Sequence, residues 1–304
     1  MTTWPVVAPT RDLNVDTIPI VLDALVRSKA AAQPGDTMRL DLTRVRFVTP
    51  AALVQLAAIL TADVSWAAID LDPPLDEECR RYLTWVGFFS AVAARVRVVG
   101  DTPVAQPGPL KLDTVLPLTR LQPGELMKRD TERVEGQLRD VLHSGDATWR
   151  QGRQAIVSTV RELCVNVYQH AGVTLGGVPG WISVQRWQNR RDGSSFVEIA
   201  LSDAGRGVRA SLSTTYPDFN TASDGTVLER VLREELSSRA LPGTSGGGTG
   251  FNVLKRSAAT LNGSFWLRSG TATIHLQRRR TQIPNAVSGE HWPGTHLVVR
   301  LSCS

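Results

Sequence analysis

Glu162, Asn166 and His170 recur at four-residue intervals in RELCVNVYQHAG, residues 161–172. On a helix this spacing stacks a carboxylate, an amide and an imidazole along one face. Ile156, Val160, Leu163 and Val167 fall at the i, i+4, i+7, i+11 spacing of another face, the stripe expected to pack on a core. A second group is LSDAGRGV, residues 201–208. A strand ending at Asp203 delivers a carboxylate beside Gly205 and Gly207, which let the backbone turn sharply and a ligand approach closely. Such a carboxylate can accept a hydrogen bond from an exocyclic amine such as that of adenine, and the same residues also read as a simple Asp-Gly turn. The third group is PGTSGGGTGFNVLKR, residues 242–256. Gly246, Gly247, Gly248 and Gly250 supply bare N–H groups ahead of a helix starting near Phe251, a setting that suits a triphosphate. A plain Gly/Ser connection is the alternative, and the G-x-x-x-x-G-K-[ST] pattern is absent.

These groups have to be positioned by regular elements, and the hydrophobic pattern supplies them. TMRLDLTRV (37–45), VSWAAIDLD (64–72) and ARVRVVG (94–100) read as strands, with AALVQLAAIL (51–60) and LDEECRRYLTWVGFF (75–89) as helices between them. That order describes a small α/β unit, a sheet covered by helices. GDTPVAQPGPLKL, residues 100–112, concentrates Pro and Gly without periodicity, which places a domain boundary there, between residues 1–105 and 106–304.

Beyond the boundary, residues 124–143 and 148–171 read as amphipathic helices, and 226–237 and 250–261 as further ones. GWISVQRWQ, SFVEIALSD, GSFWLRS, TATIHLQ and THLVVRLS are strand-like, with NRRDGS and RSG as hairpin turns. The expected fold class is α/β, ending in a two-layer sandwich of helices on a mostly antiparallel sheet. The Ser/Thr/Asp/Gly-rich stretch between Val208 and Gly246 reads as an active-site lid, with Arg239 read first as a surface residue and, as the alternative, one that reaches a bound ligand.

Composition narrows the function. With 42% hydrophobic and 21% charged residues, the chain is an ordinary globular protein rather than a disordered one. No apolar run approaches the ~20 residues of a membrane span, and MTTWPVVAPTRDLNVD lacks the basic-then-apolar pattern of a signal peptide. A cytosolic protein without a membrane role is expected. Cys79, Cys164 and Cys303 form no C-x-x-C pair and read as free thiols. The net charge of +5 and the run Arg278, Arg279, Arg280 lack the aromatic interleaving of a nucleic-acid site, so a solvated surface segment is expected.

In order, Glu162 with Asn166, then D-x-G-x-G, then G-x-G-T-G, then a last strand opening Gly294-Thr295, this chain resembles the GHKL ATP-binding family of gyrases, heat-shock chaperones, histidine kinases and mismatch-repair ATPases. The match spans about residues 125–304. It implies ATP and Mg²⁺ as cofactors. Glu162 would be the general base on a water or hydroxyl, and Asn166 the Mg²⁺ ligand. Asp203 would take the adenine amine, with Gly205 and Gly207 lining the pocket and Thr295 helping to hold the aspartate. Gly246, Gly248, Thr249 and Gly250 would wrap the phosphates.

The pattern E-L-x-x-N-x-x-x-H-A is nearest to the anti-sigma-factor serine kinases. Gln169 stands where many histidine kinases carry Lys, and His170 either compensates for that charge or sits as a satisfied core residue. His143 lacks the neighbours of a phosphoacceptor, so an autophosphorylating sensor is not expected. The implied function is a signalling regulator with a protein partner or substrate and a homodimer as one arrangement. Phosphoryl transfer to Ser or Thr, slow ATP hydrolysis and nucleotide sensing alone are the alternative outcomes.

LDLTRVRFVTPAALVQLAAIL, residues 40–60, is similar to the core of STAS domains, a resemblance covering about residues 10–100. Where signalling members carry a phosphorylatable Ser, this chain has Ala51, leaving Thr49 as the substitute acceptor. The unit is expected to act as an interaction or regulatory module, the alternative being that it merely packs on the ATP-binding domain.

Overall fold

The computed structural model describes residues 2–62, 66–100, 115–121, 180–188, 195–236, 262–277 and 284–302, with parts of helical segments within 129–139, 157–167 and 254–259. Among the described residues the protein is a mixed α/β structure with a four-stranded parallel sheet, a five-stranded antiparallel sheet and a two-stranded parallel pair. Among the described residues no helix is long and apolar enough to cross a membrane.

The first sheet is parallel, in the order β1 (Thr3–Val7), β3 (Thr37–Asp41), β5 (Ala68–Asp72), β6 (Val96–Val98). Parallel neighbours need crossovers, and α1 (Ile18–Ala31), α2 (Pro50–Ala62), α3 (Glu77–Trp85) and α4 (Phe88–Val92) lie in them. A short parallel pair, β2 (Asp12–Leu13) with β4 (Phe47–Val48), flanks the sheet. Helix boundaries follow local chemistry. Asp76 accepts the Cys79 N–H at 2.9 Å as the N-cap of α3. Gly87, at φ +81°, turns the single helix expected over 75–89 into α3 and α4.

Helix α2 is apolar on every side, and its residues Pro50 through Leu60 are all buried. A helix of that kind must be covered all round. Its core joins Val6, Leu40, Ile69 and Leu71 of the parallel strands to Trp181, Ala200, Trp292 and Val298 of the second sheet. The helix packs across β8 (Gly180–Gln188) and β9 (Ser195–Asp203). Ala51, Ala52, Ala57 and Ala58 are fully buried small residues that permit this approach.

The N-cap of α2 comes from the second sheet. Glu198 on β9 accepts the Ala51 N–H at 3.1 Å and pairs with Arg300 Nε at 2.8 Å. Trp181 Nε1 donates to Thr61 Oγ1 at 3.2 Å, and Tyr82 Oη donates to Gln185 Oε1 at 2.8 Å, adding polar links around the apolar contact.

The second sheet runs β10 (Ser264–Leu276), β11 (Val287–Ser302), β9, β8, β7 (Val115–Leu121), all neighbours antiparallel. GSFWLRS and TATIHLQ, expected as two strands joined by an RSG turn, form the single strand β10 with a register irregularity at Ser269 and Gly270. Gly270 has φ +60°, but Asp224 fastens the irregularity in place, accepting from the N–H and Oγ1 of Thr271 at 2.9 and 3.0 Å. Turn chemistry is present without a chain reversal.

On the face away from α2, Val157, Val160, Cys164 and Val167 join Ile182, Ile199 and Leu201 in a second core. Of the expected helical stripe, Val160 and Val167 are buried, while Ile156 and Leu163 lie outside the described residues. Helices α5 (Gly207–Leu212) and α6 (Asp224–Glu234) pack here too, through Leu212, Val227, Leu228, Val231 and Leu232. The segment expected as a lid is therefore a packed layer as far as Leu236. Phe219 is fully buried within it, against Tyr216 and beneath Arg230. Residues 237–250, including Arg239, lie outside the described residues. Cys79 and Cys164 are buried free thiols.

A core continuous across α2 predicts that the chain unfolds in one transition, with fluorescence and far-UV circular dichroism coincident in urea. Glu198→Ala, which strips a buried carboxylate from both the α2 N-terminus and Arg300, should cost about 3 kcal/mol. Two separable transitions in the wild type would contradict the shared core.

Candidate functional site

Asp203 is the last residue of β9, opposite Gly180 on β8 and one residue beyond the Ser202–His296 pairing with β11. Strand alternation puts Val197, Ile199 and Leu201 in the helix-side core and Glu198 and Ala200 against α2. Asp203 thus belongs to the helix side. Its Oδ1 accepts the Gly205 N–H at 2.8 Å, a local two-residue turn. The backbone N–H of Thr295, on the neighbouring strand, faces the same carboxyl and lowers its pKa. Burial pushes this carboxyl up to about 6, against the opposing pull of the Gly205 and Thr295 donors.

The turn after Asp203 is clamped from two sides. Ser269 Oγ accepts the Val208 N–H at 2.9 Å and donates to the Gly294 carbonyl at 2.9 Å. Gly207 has φ +77°, and a Cβ there would press into Ser269 Oγ. Gly294 has φ +83°, and a Cβ there would fall inside the van der Waals radius of the Asp203 carbonyl oxygen. Asp203, Gly205, Gly207 and Thr295, singled out in the sequence, meet at this junction.

Behind the junction lies a polar pair. His296 Nε2 donates to the Pro293 carbonyl at 3.0 Å, which leaves Nδ1 to accept from the Ser202 hydroxyl. Burial, reinforced by the Arg268 charge and opposed by the Pro293 carbonyl, lowers His296 to about 3, so the ring is neutral.

Glu162 lies on the helical segment within 157–167 and is half-buried. That segment crosses β8 at its first residue: a Cβ on Gly180 would collide with the Val167 side chain, and Gly180 is the register partner of Asp203. The helix carrying Glu162 thus runs over the strand end beside Asp203. Asn166, His170, Gly246, Gly248, Thr249 and Gly250 lie outside the described residues. Lys255 Nζ donates to the Leu232 carbonyl at 3.1 Å and pairs with Glu235, at the C-terminal end of α6.

Ser202, Ser269 and His296 belong to the junction and were not singled out in the sequence. Their signal is weak, because Ser269 sits in a turn-like RSG and His296 in an otherwise apolar strand. Among the described residues, no three or more His, Cys, Asp or Glu side chains gather where they could hold a metal ion.

Chemically, the junction offers a buried acceptor. With one hydrogen bond from Gly205 and the Thr295 N–H beside it, the Asp203 carboxylate keeps acceptor capacity for a further N–H, which fits the exocyclic amine of a heteroaromatic base. The chain matches no protein-family model and no curated protein.

Raising the carboxyl in the folded state gives stability that is fully present below pH 4 and lost as pH rises through about 6. Wild type should therefore lose roughly 2 kcal/mol relative to Asp203→Asn between pH 4 and 7 in urea titrations. His296 works in the opposite sense, its contribution being present above pH 6.5 and lost towards acid, but it is common to both proteins and cancels in the difference. Gly294→Ala should cost about 2 kcal/mol or more by the same measurement.

Proposed function

We propose that this chain is an ATP-binding signalling regulator of the GHKL type, nearest to the anti-sigma-factor serine kinases, with a STAS-like unit folded onto its nucleotide-binding unit. The observation that carries this reading is Asp203: a buried carboxylate at a strand end, held by the Gly205 N–H and faced by that of Thr295 in a glycine-tight junction, with acceptor capacity left for an adenine amine. The antiparallel sheet with helices on the Asp203 side supports it, as does the passage of the Glu162 helix over Gly180.

In this reading Gly205 and Gly207 shape the base pocket, and Thr295 holds the carboxylate through its N–H. Gly246, Gly248, Thr249 and Gly250 wrap the phosphates, His170 lies near them, and Asn166 holds Mg²⁺. The metal would neutralise phosphate charge when bound. Glu162 takes a proton from the attacking water or hydroxyl.

The STAS-like unit then serves as a built-in partner rather than a phosphorylation switch. Ala51 has no hydroxyl, and its N–H is taken by Glu198. Thr49 is buried, so a kinase would reach it only after α2 leaves the sheet. Any protein substrate or second copy has to use another surface.

Calorimetric titration with a non-hydrolysable ATP analogue should give saturable binding that strengthens with Mg²⁺. Glu162→Ala should keep that binding and lose about a hundredfold or more in turnover, because a general base acts on the transition state. Turnover absent already in the wild type would assign the protein to nucleotide sensing alone. No binding at millimolar analogue would refute the nucleotide reading.

A further inference from the structure

The strand β11 changes register beside Asp203. Ser269 pairs with Thr295, but the next residue, Gly270, pairs with Trp292, so Pro293 and Gly294 are extra residues on β11. They form a bulge, a device that re-aims a strand locally. Its tip is Gly294, pressed against the Asp203 backbone and held by Ser269 Oγ at 2.9 Å. Its exit is Thr295, whose N–H faces the Asp203 carboxyl.

The entrance of the bulge is held by the other half of the chain. Trp292 is 1% exposed, and its Nε1 donates to Asp23 Oδ1 of α1 at 2.7 Å. The Arg268 guanidinium stacks 3.6 Å from the Trp292 ring centroid, donates to the Glu290 carbonyl at 2.6 Å and approaches Asp23 at 3.4 Å. The Trp292 ring meets His296 edge-on at 5.4 Å, and His296 in turn holds the Pro293 carbonyl. Every link between Asp23 and the bulge is therefore a direct contact. Arg27 on α1 adds an exposed pair with Glu290 at 3.4 Å, which screening makes weak.

We infer that Asp23 and Trp292 are positioning residues for the base-binding carboxylate: α1 of the N-terminal unit holds the Pro293–Gly294 bulge so that Gly294 stays pressed on the Asp203 backbone and Thr295 stays beside its carboxyl. The nucleotide part of this inference rests on the function proposed above, whereas the latch itself does not. The N-terminal unit thereby completes the site from outside it, and a partner that shifts α1 would change nucleotide affinity without touching the pocket.

The test uses the full chain and two readouts. In the nucleotide-free protein, amide hydrogen exchange at Thr295 should accelerate about tenfold in Asp23→Ala and in Trp292→Phe, because the bulge that leads into it opens locally more often. Amides of β8 should be unaffected. Asp23→Asn keeps the carbonyl acceptor for the Trp292 N–H and should retain most of the protection. The double variant should be no worse than either single one, because both break the same link. Affinity for the ATP analogue should fall about tenfold in the same two variants and recover in Asp23→Asn. Unchanged exchange at Thr295 in folded variants would overturn the latch. Faster exchange with no nucleotide bound by any form would leave the latch standing and reject the nucleotide reading. Nucleotide bound equally by wild type and variants would overturn the positioning role.

Discussion

A carboxylate removed from water costs free energy unless N–H donors replace the lost hydration. At Asp203 the donor is the Gly205 N–H in the following turn, and the Thr295 N–H on the neighbouring strand faces the same carboxyl. Thr295 leaves a bulge of β11 at Pro293 and Gly294, and the tip of that bulge has no room for a Cβ. Ser269 then satisfies the groups exposed on either side, the Val208 N–H and the Gly294 carbonyl. Three strands and a helix start are fixed by the need to hold one charge.

A second constraint of the same kind joins the halves of the molecule. Helix α2 is too apolar to face water anywhere, and the antiparallel sheet covers the side that the parallel sheet leaves. Glu198 supplies the helix N-terminus with its acceptor and is itself neutralised by Arg300. Thr49, the residue before the helix, has a buried hydroxyl without a hydrogen-bond partner among the described residues. The cap that a local side chain would ordinarily provide has passed to the other half of the chain. Both halves consequently meet on β9, Glu198 on the α2 side and Asp203 on the opposite side, five residues apart.

Much of this was legible in the sequence where the signal is local. Alternation located β3, β8, β9 and the end of β11, and the all-apolar run located α2. Asp203, Gly205, Gly207 and Thr295 stood out because carboxylate and glycine chemistry is readable at close spacing. What depended on distant contacts was not. Glu198, in VEIAL, looks like the solvent-facing residue of an alternating strand, and only α2 makes it buried. RSG has the composition of a hairpin turn, and only Asp224 and the pairing with a bulged β11 keep it within one strand. Strand β1 is interrupted by Pro5, tolerated because the strand lies at the sheet edge. An all-apolar helix declares that it is covered but not by what.

The central claim is that Asp203 reads an amine on a purine base. The direct measurement is competition between ATP and ITP analogues for the full chain, since inosine carries a carbonyl acceptor where adenine carries the amine donor. The account predicts that the ATP analogue binds about tenfold or more tightly, a site built around a buried acceptor rejecting a base that cannot donate to it. Asp203→Asn, whose amide can also donate, should narrow that preference. Equal affinity for the two nucleotides in the wild type would contradict the assignment of Asp203 as the base-reading group.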